Sequence, residues 1–469
     1  MKTNIILNVD SYKTSHYKQY PDETTYVSSY IESRGGEYAE TVFFGLQAFI
    51  KDYLCTPVTR DDIEEAASLL SAHGVPFNRD GWEYIVSQHH GKLPIEIRSV
   101  AEGLVVPTHN VLLQICNTDP NCAWLTSYME TALLRAIWYP TTVATVSREC
   151  KKVIQQYLQT TADDLSGLPF KLHDFGARGA SSEETAALGG AAHLVNFQGT
   201  DTLSGILAAK RFYGEAMAGF SIPAAEHSTI TCWGRARERD AYENMLNQFA
   251  QPGMTVAVVS DSYDLWHAID NIWGDELRDK VIQSGGTLVI RPDSGDPVEV
   301  VCKTIQRLMN RFGYRVNGKG YRVLPDFIRV IQGDGVSLTM IEKILSALKH
   351  ANISADNIAF GMGAELLQKV NRDTLKFAMK ASATRVKAIW QDVYKDPVTD
   401  PGKRSKRGRL ALIRDPAGTY QTIRLENLGT RTDLLETVYR NGDLMKTISF
   451  AQIRANATTE NRHVFGDAA

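Results

Sequence analysis

The sequence predicts an α/β protein, either an α/β barrel or an open α/β sheet, on two observations. The first is a ladder of five short apolar runs, each ending in an acidic residue or a glycine cluster. Phe170–Leu172 leads into His173-Asp174-Phe175-Gly176, and Thr255–Val259 into Ser260-Asp261-Ser262. Thr287–Ile290 leads into Arg291-Pro292-Asp293-Ser294-Gly295, Phe327–Ile331 into Gln332-Gly333-Asp334-Gly335, and Asn357–Phe360 into Gly361-Met362-Gly363. Runs of this length, rich in Val and Ile, read as strands buried on both faces. Carboxylates and glycines at strand C-termini are how such folds build a site. The second observation is the rhythm between the runs. Helices are expected at Ser182–Ala192, Thr202–Phe212, Ile230–Phe249, Tyr263–Trp273, Val298–Phe312, Leu338–Lys349 and Ala364–Asn371. Strands alternating with helices argue for βαβ units and parallel strands.

The flanks read differently. The N-terminal stretch Met1–Leu7, with its short apolar run, is expected to be the first strand. Asp61–Ala72 reads as an amphipathic helix with Thr59 or Asp61 near its N-cap, and Trp124–Trp138 as a buried helix. Leu93–Val100, Leu104–Pro107 and Val111–Ile115 are closely spaced and alternate like half-buried antiparallel strands. After Lys380 the rhythm stops. A turn-rich loop at Lys395–Gly402 is followed by short strands at Arg409–Ile413 and Thr419–Arg424. The tail is expected to fold back on the N-terminal β unit. A chain of 469 residues exceeds one simple core. The expected organisation is an N-terminal β-rich segment over 1–150, an α/β domain over 151–385 and a returning C-terminal segment over 386–469.

Composition excludes several classes. The formal net charge is −3, so no global basic field argues for nucleic acid. The six cysteines form no CxxC pair and no Cys/His zinc spacing, which suits reduced thiols of a cytosolic protein. No run is long and apolar enough to span a membrane, and the N-terminal run is too short for a signal peptide. A cytoplasmic protein is expected.

The strand ends carry the candidate chemistry. In Arg291–Pro297, Arg291 suits a phosphate or ribose and Asp293 a developing cation, although Asp, Ser and Gly-Asp-Pro also serve as a capped turn. Gly333-Asp334-Gly335 and Gly361-Met362-Gly363-Ala364 are glycine turns before helices, suited to phosphate or simply to the turn. Neither matches a P-loop or a dinucleotide fingerprint. Glu226-His227 opens a helix; the histidine reads as a structural partner or as a nucleophile or base. Lys403–Arg409 is a basic run, either a solvated loop, a localisation-type patch or a lid for a small polyphosphate. Phe175 either plugs the fold or stacks a flat ring, and Asp10-Ser11-Tyr12-Lys13 offers a second aromatic and carboxylate.

Taken together, these motifs resemble the nicotinamide phosphoribosyltransferase family end to end. The matching stretches are Asp10–Lys13, His16–Pro21, Leu172–Gly179, Gly199–Thr202, Pro223–Ile230, Val259–Asp264, Ile290–Gly295, Val330–Gly335, Leu366–Lys369 and Lys395–Gly408. The resemblance implies a type II phosphoribosyltransferase fold, an irregular α/β barrel plus a β-rich α+β domain formed by the N- and C-terminal segments. It implies a head-to-tail homodimer with shared active sites. The implied reaction joins nicotinamide to 5-phosphoribosyl 1-pyrophosphate, giving nicotinamide mononucleotide and pyrophosphate in NAD salvage. By the same resemblance Phe175 and the partner subunit's Tyr12 sandwich the pyridine ring, with Asp10 beside it. Asp201 accepts from the carboxamide, and Ser221 also binds substrate. Arg291 and Asp293 lie near the amide, ring or ribose, and Gly333 and Asp334 face the ribose. Gly363 and Ala364 bind the nucleotide phosphate. Arg178 and the partner subunit's Lys395 and Lys403 hold pyrophosphate, with phosphate contacts from Arg34, Arg372 and Lys380. His227 matches a histidine that takes a phosphoryl group from ATP, with Glu226 and Asp261 as candidates to polarise it or bind Mg²⁺. Mg²⁺ is implied mainly through the substrate phosphates.

The chain departs from the pattern at Met362, Ala364 and Glu365, where small polar residues or glycines are expected, and at Ala378 in place of a serine. The nearest alternative is nicotinate phosphoribosyltransferase, against which Asp201 argues because its charge would repel a carboxylate. A non-catalytic phosphate-binding or signalling protein on the same scaffold is the alternative from another class.

Overall fold

The computed structural model describes residues 4–399 and 404–465. The chain separates into two compact units, one of residues 1–145, 208–216 and 371–469, the other of 146–207 and 217–370. Among the described residues no helix is long and apolar enough to cross a membrane.

The first unit is built on a seven-stranded antiparallel sheet drawn from both chain ends. Thr24–Ser33 lies inside it, between Phe377–Val386 and the central strand Val111–Asn117. Ile95–Ser99 pairs with Val111–Asn117 on one side and with Glu436–Arg440 on the other. Its core includes Tyr30, Ile31, Phe43, Trp82, Ile97, Leu113 and Tyr439, all fully or almost fully buried. The helix Arg60–His73 starts where the sequence places it. Thr59 accepts from the Asp62 amide while Asp62 accepts from the Thr59 amide, a capping box.

Two expectations in the first 150 residues are corrected. Ile5–Leu7 is a 3₁₀ turn, not a strand. The Asn4 side chain accepts from the Ile6 amide at 3.0 Å and so offers the backbone a local alternative to a ladder. The buried helix does not end at Trp138. After Ala123–Tyr128 the chain continues as Glu130–Thr161, running through Pro140. Gly45, at φ +104°, leaves room for that proline; a Cβ there would lie 2.4 Å from Pro140 Cγ.

The second unit holds a six-stranded parallel sheet whose strands we label β1 (Leu172–Asp174), β2 (Gly199–Thr200), β3 (Thr255–Val259), β4 (Thr287–Arg291), β5 (Ile328–Gln332) and β6 (Ile358–Met362). The order is β2-β1-β6-β5-β4-β3. Its two edges are joined through residues 220–224. Phe220 bridges to Gly199 beside β2, and Ala224 bridges to Ala257 on β3, both in the parallel sense. The result is the irregular α/β barrel that the family resemblance implies. Ala257, Val289 and Ile331 line its interior, with Ile222, Ala359 and Phe175 packed against them.

Three helices differ from expectation. Ile230–Phe249 is split into His227–Thr231 and Glu238–Phe249, because Gly234 turns the chain at φ +79°. Tyr263–Trp273 begins at Leu265 and passes into a π-helical stretch over Ala268–Glu276. Ala364–Asn371 shrinks to Ala364–Leu367. Asn371 and Thr374 side chains capture nearby amides there and end the helical pattern.

Lys171 closes the end of the barrel opposite the polar strand ends. Its Nζ donates to the carbonyls of Asp356 (2.9 Å) and Ile358 (3.1 Å). Burial pushes its pKa down to about 8, against the opposing charge of Asp356. The folded chain therefore releases this proton near pH 8 and the unfolded chain near 10.5. Between those values the unfolded state binds more protons, so stability contributed by this group rises with pH across that window. Below pH 8 the penalty is present in full. Urea titrations of wild type and Lys171→Met from pH 7 to 10.5 should show wild type gaining on the variant by on the order of 3 kcal/mol over this range. Parallel pH profiles would refute the assignment.

Candidate functional site

The C-terminal ends of β1 to β6 bring most of the predicted polar residues onto one rim. At the end of β1, Asp174 is fully buried and its carboxylate accepts from the Gly176 amide at 2.7 Å, while its carbonyl accepts from the Asp201 amide at 2.9 Å. Burial raises the Asp174 pKa, with the Gly176 amide pulling the other way. Asp174 thus ties together the turns that carry Phe175 and Asp201, the first through its carboxylate and the second through its carbonyl. The Phe175 amide donates to Met362 O at 2.9 Å. Its ring lies over two glycines: a Cβ on Gly361 would sit 2.0 Å from Phe175 Cε2, and one on Gly333 3.2 Å from it. Phe175 thus needs these glycines, which explains two of the turns as a floor for an aromatic ring.

Asp201 follows β2. Its Oδ1 accepts from His173 Nε2 at 3.0 Å and from Ser221 Oγ at 2.5 Å. Partial burial pushes its pKa up, but the hydrogen bonds from His173 and Ser221, with the His173 and Arg291 charges, hold it below the usual carboxylate range.

A second carboxylate cluster follows β3 and β4. His227 opens its helix and places Nε2 3.0 Å from Asp261 Oδ1, with Nδ1 3.9 Å from Asp293 Oδ2. Asp261 is almost completely buried, and its Oδ2 accepts from the Asp293 amide (3.0 Å) and Ser294 Oγ (2.5 Å). One carboxylate therefore fixes both the imidazole and the Arg291–Gly295 turn. Of the two candidates to polarise His227, Asp261 makes the contact; the Glu226 carboxylate instead accepts from Ser228. Burial raises the Asp293 pKa; the Arg291 and His227 charges lower it, and Asp261 and Asp334 raise it. Arg291 Nε stands 3.8 Å from Asp293 Oδ1. The capped-turn reading holds for the end of this segment, where Asp296 caps the helix Pro297–Phe312.

Gly363 and Ala364 follow β6, and the Ala177–Gly179 turn bearing Arg178 packs on them: a Cβ on Gly179 would meet Ala364 Cβ at 3.0 Å. Arg178 is exposed. The departures fit locally. Met362 is buried at the end of β6, and Glu365 pairs with Lys369. Asp334 is exposed after β5, where Gln332 Nε2 donates to its carbonyl.

The remaining predicted residues lie in the first unit. Tyr12 is 61% exposed, and Asp10 accepts from Thr131 Oγ1 at 2.7 Å. Arg34 and Lys406 share the buried Glu32, at 3.0 and 2.6 Å. Burial alone would lower the Arg34 pKa, but Glu32 raises it overall. Burial lowers the Lys380 pKa, and its Nζ donates to the Met379 carbonyl. Arg372 stands 3.5 Å from Asp373. Lys395 is exposed, and its backbone pairs with Ser405. Lys403 lies outside the described residues. Reading the sequence alone missed His173 as a partner of Asp201, because His173 lies on β1 and Asp201 follows β2, and only the register of the two strands brings them together.

A family model described as "Nicotinate phosphoribosyltransferase (NAPRTase) family" matches residues 170–443, and one described as "Nicotinamide phosphoribosyltransferase, N-terminal domain" matches residues 4–97. The chain is 57% identical over 460 residues to a nicotinamide phosphoribosyltransferase of Xanthomonas campestris pv. campestris, covering 97% of this chain and 98% of that one. The chain belongs to the nicotinamide phosphoribosyltransferase family. It is therefore a pentosyltransferase by class. A second family member, from Acinetobacter baylyi, is 31% identical over 493 residues, covering 97% of both chains. Solved structures share the fold of the family. The nicotinate-nucleotide pyrophosphorylase from Pyrococcus furiosus aligns with a TM-score of 0.62 at 14% identity, over 99% of this chain and 97% of that one. Human nicotinic acid phosphoribosyltransferase aligns at 0.53 and 15%, over 96% and 92%.

Proposed function

We propose that the chain transfers the 5-phosphoribosyl group from 5-phosphoribosyl 1-pyrophosphate to nicotinamide, giving nicotinamide mononucleotide and pyrophosphate for NAD salvage. The observation that carries this reading is Phe175, seated on Gly333 and Gly361 beside an ionised Asp201. A flat ring stacks on the phenyl face, and a carboxylate beside it accepts from a carboxamide N–H but repels a carboxylate. In this reading Ser221 steadies Asp201 and Tyr12 of the partner subunit covers the other ring face in a head-to-tail homodimer.

Cleavage of the C1–pyrophosphate bond leaves positive charge on the ribose. In this reading Asp293 and Asp334 face that charge, and Arg291 orients the ring or ribose. In this reading Gly363, Ala364 and Arg178 take the phosphates, with the partner subunit's Lys395 and Lys403.

His227 is proposed to accept a phosphoryl group from ATP. Its Nε2 is engaged by Asp261, which leaves Nδ1 as the attacking nitrogen. In the balanced step the Nδ1 lone pair forms an N–P bond, the bond to the ADP oxygen breaks, and ADP leaves. The phosphoryl group goes on to water during turnover. Among the described residues of this unit no three His, Cys, Asp or Glu side chains converge as a metal cage. Both Asp261 oxygens accept hydrogen bonds and Asp293 stands between His227 and Arg291, so in this reading Asp334 is the carboxylate that would hold Mg²⁺ together with substrate phosphates. That donor set fits Mg²⁺, which keeps one or two carboxylates and takes its other ligands from phosphate and water. When bound, Mg²⁺ supplies neutralising charge to the pyrophosphate leaving group.

The test is a product assay of the purified chain with phosphoribosyl pyrophosphate, Mg²⁺ and either nicotinamide or nicotinate, with and without ATP. The expected outcome is nicotinamide mononucleotide, faster with ATP. Turnover of nicotinate without nicotinamide would overturn the substrate assignment.

A further inference from the structure

We propose that His173 is a positioning residue for substrate choice, holding Asp201 so that it presents a single free oxygen to a neutral carboxamide. This rests on the reading of the pocket as a nicotinamide site. His173 lies on β1 directly across from Gly199 on β2. The glycine is required there, because a Cβ would stand 2.7 Å from His173 Nδ1. The ring is 5.1 Å from the Phe175 ring, centroid to centroid, and its side chain is mostly buried. So held, it points Nε2 at Asp201 Oδ1, 3.0 Å away, the same oxygen that accepts from Ser221.

Two donors on Oδ1 leave Oδ2 with no hydrogen bond among the described residues. An ionised carboxylate has no proton to give, so Oδ2 accepts from the carboxamide NH₂ and offers nothing to nicotinate. The His173 donor also resists protonation of Asp201, the one form that could donate to a carboxylate ligand. Without it the side chain turns about its last torsion and the protonated form comes within reach. Asp174 and Arg291 are the other charged groups acting on this pair, and neither hydrogen-bonds Asp201 through its side chain.

The test measures kcat and KM for nicotinamide and for nicotinate with wild type, His173→Ala, His173→Gln and Asp201→Asn, and with His173→Ala in the Asp201→Asn background. Thermal unfolding is compared in parallel. The expected result for His173→Ala is a nicotinamide KM raised by about tenfold, the size of one hydrogen bond to a charged group, with kcat within about threefold of wild type. The nicotinamide-to-nicotinate ratio of kcat/KM should fall by the same factor. His173→Gln, whose amide can donate to Oδ1, should recover most of it. In the Asp201→Asn background, loss of His173 should shift the ratio by less than about twofold. If His173→Ala lowers both substrates equally, or shifts the ratio as much in the Asp201→Asn background, the proposal fails. A wild type that uses nicotinate and not nicotinamide would instead sink the pocket reading beneath it.

Discussion

Asp261→Ala is expected to lower kcat/KM in the presence of ATP by on the order of a hundredfold or more, the scale of losing an oriented acid–base or nucleophilic group. The side chain has three partners. It takes the His227 Nε2 hydrogen bond and those of the Asp293 amide and Ser294 hydroxyl. Without it the imidazole loses the group that fixes its tautomer and leaves Nδ1 free, so phosphoryl transfer from ATP should disappear. The Asp293 turn loses its anchor as well, and leaving those donors unpaired should reduce stability by about 1–3 kcal/mol. Asp261→Asn keeps the shape but presents an NH₂ group to one set of donors, so it should not rescue activity. His227→Ala separates the two effects: ATP coupling is lost while slow transfer continues and the turn stays anchored. The check is steady-state kinetics with radiolabelled ATP and acid-labile phosphoprotein detection, alongside thermal unfolding. An Asp261→Ala protein that keeps phosphorylation and wild-type kcat/KM within about threefold would refute this arrangement.

Asp201→Asn is expected to move the nicotinamide-to-nicotinate preference by on the order of a hundredfold, since a site built for a hydrogen-bonding partner discriminates strongly against a ligand that leaves it unpaired. Ser221 donates to Oδ1, so the asparagine oxygen should settle there and place Nδ2 where Oδ2 stood. An N–H then replaces an anionic acceptor, which loses the carboxamide hydrogen bond and welcomes a carboxylate. Initial rates with both substrates over a range of concentrations decide it. Unchanged preference would remove Asp201 from the specificity mechanism.

The parallel strands were legible because strands buried on both faces must be apolar along their length, and Thr255–Val259 and Thr287–Arg291 show this without ambiguity. Asp261, Arg291, Asp293 and Asp334 were legible as a rim because a strand's C-terminus is one step along the chain from its own last buried residue. Helix starts marked by local side-chain chemistry, such as Thr59 with Asp62, were legible for the same reason of short range. The turn at Ile5–Leu7 was not, because three apolar residues fit a strand or a 3₁₀ turn equally and the Asn4 side chain decides between them. Closure of the barrel through residues 220–224 left no trace in the pattern, since single bridges need only backbone groups and no apolar run.

By itself the sequence determined the α/β class, the strand ends that carry carboxylates, and, through its motifs, the family. The tertiary structure alone decided which side chains meet. Asp261 rather than Glu226 holds His227, His173 reaches Asp201 across neighbouring strands, and Gly333 and Gly361 form the floor under Phe175. Local pattern records whether a residue is buried and what backbone it prefers. A contact between residues 28 positions apart (His173 with Asp201) or 34 apart (His227 with Asp261) depends on strand order and register, which only the packed sheet fixes.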